Sequence, residues 1–438
     1  MIYSSSQVKD ILFDCIHSMS ENPWLYTYQQ SDFSRNRKIS FFDAIISTIC
    51  MQRSASKTEV LKFYDFLPDA PTHSALIQQR NKIKPEAFED LFYRFTDALS
   101  PDLTHKGYRL LAVDGSDIYI PRNPKDPDTY RISDKYGKGF NMFHLNAAYD
   151  LISKIYTDII IQPLNQSNES HAFCDMIDQF SQRYPEQKAL FIADRGYESF
   201  NTFAHAIENH AFFLVRAKAP NPMTLLSTVD MPDQPEFDIP FERWLTRRNT
   251  KSVKEHPEIY KSIASRVFDY LEPGSKDLYR ICFRIIKISL PNGTDEYLYT
   301  NLPSEDFTLE EIRELYNQRW GIETSFRDIK YAAGMLFFHS RKKSLVLQEI
   351  YAKLILYNLS EAITGGIALT KMAERMYAYR INFSIALSLC VEFLRRCKQG
   401  LSSIDLDTLL SKHLIPVRPG RSSPRYIRAR TAPSFLYR

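Results

Sequence analysis

Apolar positions in the first hundred residues recur at helical spacing. Pro85 opens a segment in which Phe88, Leu91, Phe92, Phe95 and Leu99 share one face. Phe41 to Met51 and Thr58 to Phe66 read as further helices, parted by the polar break Arg53-Ser54-Ala55-Ser56. At Tyr108 the texture changes. Leu110-Leu111-Ala112-Val113 is a continuous apolar run, the pattern of a strand buried on both faces, and it ends in Asp114-Gly115. Met142 to Tyr149 and Lys154 to Gln162 read as two strands joined by a hairpin across Asp150 to Ser153. Glu169 to Arg183 has helical spacing through Phe173, Met176, Ile177 and Phe180. A second apolar run, Ala189 to Ala193, ends in Asp194-Arg195-Gly196, and Ala211 to Ala217 predicts a fifth strand.

Three strands, a helix and two more strands is the order of an RNase H-like layer. From Pro220 to about Pro303, prolines give way to a basic stretch (Arg247, Arg248, Lys251, Lys254, Lys261, Arg266) and to strands over Tyr279 to Leu290 and Tyr297 to Asn301. This reads as a β insertion whose basic middle and Trp244 suit either a DNA-facing or a plain solvated surface. A helix begins at Thr308, where Thr308-Leu309-Glu310-Glu311 forms a capping-box pattern, and runs to about Tyr331, with Gly334 as its stop. Leu345 to Ile363 and Met372 to Cys397 read as two more helices. The expected fold class is α/β: an RNase H-like catalytic core with a mostly β insertion, flanked by N-terminal and C-terminal helical regions. The expected divisions are a helical unit 1–105, a candidate DNA-end-binding domain; the first part of the core, 106–219; the insertion, 220–305; the helix with the C-terminal helices, 306–400; and a basic tail, 401–438.

Composition adds little until charge is located. At 438 residues, 44% hydrophobic and 25% charged, the chain has the make-up of a globular protein of two to four domains. Its net charge is only +4, but from Thr408 to the end there is no acid and there are seven basic residues, among prolines and aromatics, which suits a polyanion such as nucleic acid. The six cysteines include no C-x-x-C pair, which argues against zinc ribbons and disulfides and for a reducing compartment. Lys9, Asp10 and Asp14 interrupt any signal-peptide core, and Glu349 and Lys353 interrupt the best apolar run, so the expectation is a cytoplasmic protein that does not enter the membrane.

The candidate chemistry lies at strand ends and on one helix. In open α/β sheets the carboxyl edge of the strands is where ligands bind, so Asp114 and Asp194 are paired by architecture although 79 residues separate them. On the predicted helix, Tyr316, Arg319, Glu323 and Lys330 fall within about 60° around the axis, beside an apolar arc of Leu315, Ile322, Phe326 and Ile329. Taken alone the stripe reads as a solvated ion-pair ladder, and an Asp-Gly as a turn. Together, two strand-end aspartates and a helix glutamate offer the all-oxygen ligand set that phosphodiester cleavage with two Mg²⁺ ions requires, with Mn²⁺ as a substitute. Arg319 and Lys330 could then hold flanking phosphates. Asp117, Asp328 and His171 are read as structural.

These blocks resemble the DDE transposases of bacterial insertion sequences, of the IS-four type. Tyr316, Arg319, Glu323 and Lys330 match that family's Tyr-Arg-Glu-Lys signature at every spacing. Asp194-Arg195-Gly196-Tyr197 and Val113-Asp114-Gly115-Ser116 are similar to the blocks around its two aspartates. The resemblance implies catalytic and metal-holding roles for Asp114, Asp194 and Glu323, with DNA contacts from Tyr316, Arg319 and Lys330. It implies recognition of terminal inverted repeats in double-stranded DNA, a synaptic homodimer, and Mg²⁺-dependent cleavage followed by strand transfer to a target. Members of this type pass through a DNA hairpin in which an aromatic side chain of the insertion handles a flipped base; Trp244, Tyr297 and Tyr299 are the candidates here. The alternatives are an RNase H-like nuclease without strand transfer and an inactive DNA-binding relative. A glycoside hydrolase fits poorly, because the basic residues do not serve a neutral sugar.

Overall fold

The computed structural model describes residues 3–99, 103–132, 137, 139–218, 225–290, 293–371, 379–401 and 404–417. The first helix, α1 (Ser5–Glu21), is closed at its start by a capping box of Ser4 and Gln7 and buries Val8, Leu12, Ile16 and Met19. Another capping box, from Ser40 and Asp43, starts α2 (Phe41–Cys50), which is buried on every side, as its all-round apolar sequence requires. After α3 (Ser56–Phe63) and α4 (His73–Arg80), α5 (Glu86–Leu99) buries the five apolar residues that its spacing predicts.

A ten-stranded mixed sheet follows. Its first half is β1 (Tyr108–Ile120), β2 (Tyr130–Ile132), β3 (Gly139–Asp150), β4 (Tyr156–Pro163), α6 (Glu169–Arg183), β5 (Lys188–Ala193), α7 (Phe200–Glu208) and β6 (Phe212–Arg216). Central β1 pairs antiparallel with β3, which pairs antiparallel with β4; on its other side β1 pairs parallel with β5, and β5 with β6. The order β4-β3-β1-β5-β6, with an antiparallel hairpin on one flank and two parallel strands on the other, is an RNase H-like core. Two differences from the sequence reading have physical causes. The first apolar strand does not stop at Gly115: β1 continues to Ile120, paired with β3 alone beyond Val113. Parallel β5 and β6 need a crossover, and Phe200–Glu208 supplies it as a helix that its short sequence, charged only at Glu208, did not announce.

The insertion extends the same sheet. It holds β7 (Phe237–Thr246), α8 (Lys251–Glu255), β8 (Tyr260–Ser262), β9 (Leu278–Ser289) and β10 (Asp295–Thr300), and β10 joins it to β6. Pro240, opposite Arg284, hid β7 from a propensity argument.

The predicted single helix from Thr308 is two. After the capping box of Thr308 and Glu311, α9 (Leu309–Gln318) ends at Arg319, and α10 (Trp320–Tyr331) begins. Leu315 and Tyr316 of α9 are buried with Leu110, Leu190, Ile192 and Leu298 of the sheet, whereas Ile322, Phe326 and Ile329 of α10 are buried with Ala112, Ile118 and Phe143. The break lets the two helices cover adjacent parts of one sheet face. The chain closes with α11 (Lys343–Lys371), β11 (Tyr379–Ile381), α12 (Phe383–Lys398), α13 (Leu406–Lys412) and β12 (Leu414–Pro416), β11 pairing with β12. The helix expected over Met372 to Cys397 is thus replaced from Tyr379 by a strand and then α12; 372–378 lies outside the described residues, as does the basic tail from 418 on. Helices α1, α2, α5, α11 and α12 share one apolar cluster with the α10 face of β1 and β3. Among the described residues no helix is long and apolar enough to cross a membrane.

Candidate active site

Strand alternation decides which side chains meet. Ala112 and Ile118 of β1 pack under α10, so Asp114, of the same parity, points to that face. In the parallel ladder Val113 lies beside Ala193, which makes Asp114 and Asp194 the next neighbours. Gly115 N–H donates to Asp114 Oδ1 (2.9 Å), and Gly196 N–H donates to Asp194 Oδ1 (2.6 Å). Asp114 therefore sits where β1 loses its parallel neighbour, and Asp194 where β5 ends.

The third acid comes from α10. Glu323 Oε1 accepts from an Arg319 guanidinium nitrogen at 3.1 Å. Arg319, whose side chain is 6% exposed, lies against the rings of Tyr316 (5.8 Å) and Trp320 (4.9 Å). Lys330, one end of the same helix, donates to Ser116 Oγ of β1 at 2.7 Å, and burial lowers its ammonium below the usual range against the pull of Asp117 and Asp114. Burial foremost, with the Asp194 and Glu323 charges, pushes the Asp114 carboxyl up to about 6, against the Gly115 N–H and Arg319. The three acids thus share one electrostatic neighbourhood.

Tyr316 is more enclosed than a surface stripe implies. Its ring is buried in the core under α9, and burial raises its phenol to about 12. Its hydroxyl and Arg319 Nε are buried without a well-aligned hydrogen-bond partner among the described residues. Of the three residues read as structural, Asp117 meets His144 Nδ1 at 2.9 Å, Asp328 pairs with its neighbour Arg327 at 3.7 Å, and His171 lies 3.8 Å from Asp175. Sequence reasoning missed His144 and Glu169, which adjoin the aspartates from the other face of the sheet. The β1–β3 register, Asp117 opposite His144, is the signal that would have found the first.

None of the three aromatic candidates in the insertion lies with the acids. Tyr299 is fully buried on the opposite face, in the cluster of α6 and α7, and Tyr297 packs beside Phe237 against that cluster. The pairings Ala193 with Val215, Val215 with Tyr299, Tyr299 with Ile285 and Ile285 with Ile239 carry the level of the acids across the sheet. Trp244 is five residues beyond Ile239, roughly 17 Å along the strand.

The donor set is all oxygen, which suits a hard cation such as Mg²⁺ and not zinc. Repulsion among Asp114, Asp194 and Glu323 is the strain such a cation would relieve. As the side chains stand, no three His, Cys, Asp or Glu among the described residues converge at ligand distance, and Glu323 accepts from Arg319.

An RNase H-like sheet with aspartates on adjacent strands and a glutamate on a covering helix is an arrangement suited to chemistry on nucleic-acid strands. Residues 105–359 match the family described as Transposase DDE domain, and the chain belongs to that family, as a DDE transposase of the IS4 type. Enzymes of this family generally use divalent metal ions. The chain is 22% identical over 377 residues to the transposase InsG for insertion sequence element IS4 of Escherichia coli (strain K12), covering 82% of this chain and 76% of that protein. A cryo-EM structure of the piggyBac transposase synaptic complex with hairpin DNA aligns with a TM-score of 0.49 and 10% identity, over 96% of this chain and 87% of that one.

Proposed function

We propose that this transposase binds the terminal inverted repeats of its own insertion sequence as a homodimer, nicks the DNA to free a 3′-hydroxyl, and joins that end to a target. The observation that carries the reading is the neighbourhood of Asp114, Asp194 and Glu323 on one sheet face. These three carboxylates would hold two Mg²⁺ ions, or Mn²⁺ in their place, which activate the attacking water or 3′-hydroxyl and stabilise the leaving oxygen. Arg319, held against two rings and beside Glu323, would offer its guanidinium to a phosphate oxygen beside the scissile bond. Tyr316, whose ring and hydroxyl are buried, would serve DNA binding by holding Arg319 in place. Lys330, at the Ser116 end of α10, would offer a point charge to a flanking phosphate.

The deciding experiment supplies precleaved transposon ends and a target duplex with Mg²⁺. Joined products are expected; nicks and breaks alone would make the chain a nuclease, and binding without either would make it an inactive relative. A second expectation concerns Lys330→Ala. Losing one phosphate contact should weaken end binding and reduce the slope of log K against log salt by about 0.9. An unchanged slope in a salt titration would leave Lys330 only as a brace between α10 and β1.

A further inference from the structure

Each aspartate is held through the glycine that follows it, so its position is only as fixed as that glycine's backbone. Among the described residues Asp114 takes its hydrogen bond from Gly115 N–H and Asp194 from Gly196 N–H. Behind these two glycines, on the α6 face of the sheet, stands one charged unit. His144 of β3 lies with Nδ1 2.9 Å from Asp117 Oδ1 and Nε2 2.9 Å from Glu169 Oε1, the latter off the donor axis and so an ion pair more than a hydrogen bond. The imidazole side chain is 11% exposed, while Asp117 and Glu169 are about half exposed, at 50% and 45%. Burial works against a charged imidazole, but the two carboxylates outweigh it and hold the ring protonated, up to about 9.

The contacts with the glycines are close. A Cβ on Gly115 would stand 2.5 Å from His144 Nε2 and 2.7 Å from Glu169 Oε1, so the imidazole and carboxylate occupy the space a side chain would take. A Cβ on Gly196 would stand 2.9 Å from Asp194 Oδ1 and 4.0 Å from Glu169 Oε2. Glu169 therefore backs directly onto Gly115, and its second oxygen faces the turn at Gly196 from farther off. Glu169 is itself the first residue of α6, whose N-terminal end favours its negative charge.

We propose that His144 and Glu169 are positioning residues: by packing behind Gly115 they fix the backbone that carries Asp114, and with it the separation of the Asp114 and Asp194 carboxylates. This rests on the reading of those aspartates as metal ligands. Mg²⁺ demands near-ideal geometry, so a slack aspartate pair should cost metal affinity before it costs the fold.

The test is the Mg²⁺ dependence of nicking on cognate ends, with full-length His144→Gln, Glu169→Gln and Gly115→Ala. Each variant is first shown folded by its thermal transition and by end binding without metal. The Mg²⁺ concentration for half-maximal nicking is expected to rise about 10- to 100-fold in His144→Gln and Gly115→Ala, with metal-free end binding unchanged. Glu169→Gln, half exposed, should rise in the same direction and carries the test if His144→Gln does not fold. A merely structural role would move the thermal transition and not the Mg²⁺ requirement, so folded variants with the parent's half-maximal Mg²⁺ would overturn the proposal. Asp114→Asn is run in parallel. If it nicks like the parent, the metal-ligand reading fails; if it is inactive while the clamp variants are normal, only the clamp fails.

Discussion

Glu323→Gln should abolish Mg²⁺-dependent cleavage while leaving binding to transposon ends close to that of the parent. Glutamine has the size of glutamate, and its carbonyl still accepts from Arg319, now 3.1 Å from Glu323 Oε1, so α10 keeps its place on the sheet. Arg319 is 6% exposed and Glu323 30%, so the stability of the variant rests on the amide keeping that hydrogen bond to the buried guanidinium. What disappears is the charge of one of the three proposed metal ligands. If that ligand supplies about 4 kcal/mol to the transition state, the rate falls by roughly three powers of ten. Nicking of a labelled end duplex reads the effect, and a gel shift without metal reads binding. Mg²⁺-dependent cleavage near the parental rate would remove Glu323 from the ligand set.

Part of this was legible in the sequence because local pattern and tertiary structure agree there. The apolar runs before Asp114 and Asp194 are buried on both faces and can only be central strands, and the face of α5 was set by its own spacing. The break at Arg319 was not legible. The apolar spacing of Tyr316 to Lys330 is that of one helix, in which a lone Gly321 is tolerated, and the turn answers to two patches of sheet that lie far away in sequence. The same holds for the His144 unit. Its members come from β1, β3 and α6, and only strand register brings them together. Strand β7 was hidden by Pro240, and α7 by a lack of charge patterning, though the parallel pairing of β5 with β6 demands a crossover. A helical wheel places Tyr316 beside Arg319 but cannot say that its ring is buried; that depends on the strands beneath α9.

The largest effect on stability should come from Arg80, far from the acids. Arg80 of α4 and Glu349 of α11 form an ion pair at 3.1 Å with side chains 0% and 1% exposed. Arg80 also donates to Gln348 Oε1 (3.3 Å) and to the Leu345 carbonyl (3.2 Å), while Gln348 donates back to the carbonyls of Arg80 and Ile83. On its other side Glu349 accepts from His339 N–H at 2.8 Å. Apart from the His339 bond, every hydrogen bond in this set links the N-terminal helical unit to the segment that follows α10. Arg80→Met leaves the Glu349 carboxylate buried without its guanidinium, a loss of about 3–5 kcal/mol, whereas Arg80→Met with Glu349→Met removes both charges and should recover much of it. The pH dependence has a definite sign. Burial alone would push the Glu349 carboxyl up, but Arg80 and then His339 outweigh it and hold it well below the ordinary range. A depressed folded value means that the pair stabilises fully above the ordinary carboxyl range and loses that contribution as pH falls through the folded value. Denaturant unfolding of the parent, both single variants and the double variant reads all four corners. A single Arg80→Met loss under about 1 kcal/mol would show that water or another cation compensates Glu349, and the pair would then not be what holds α4 on α11.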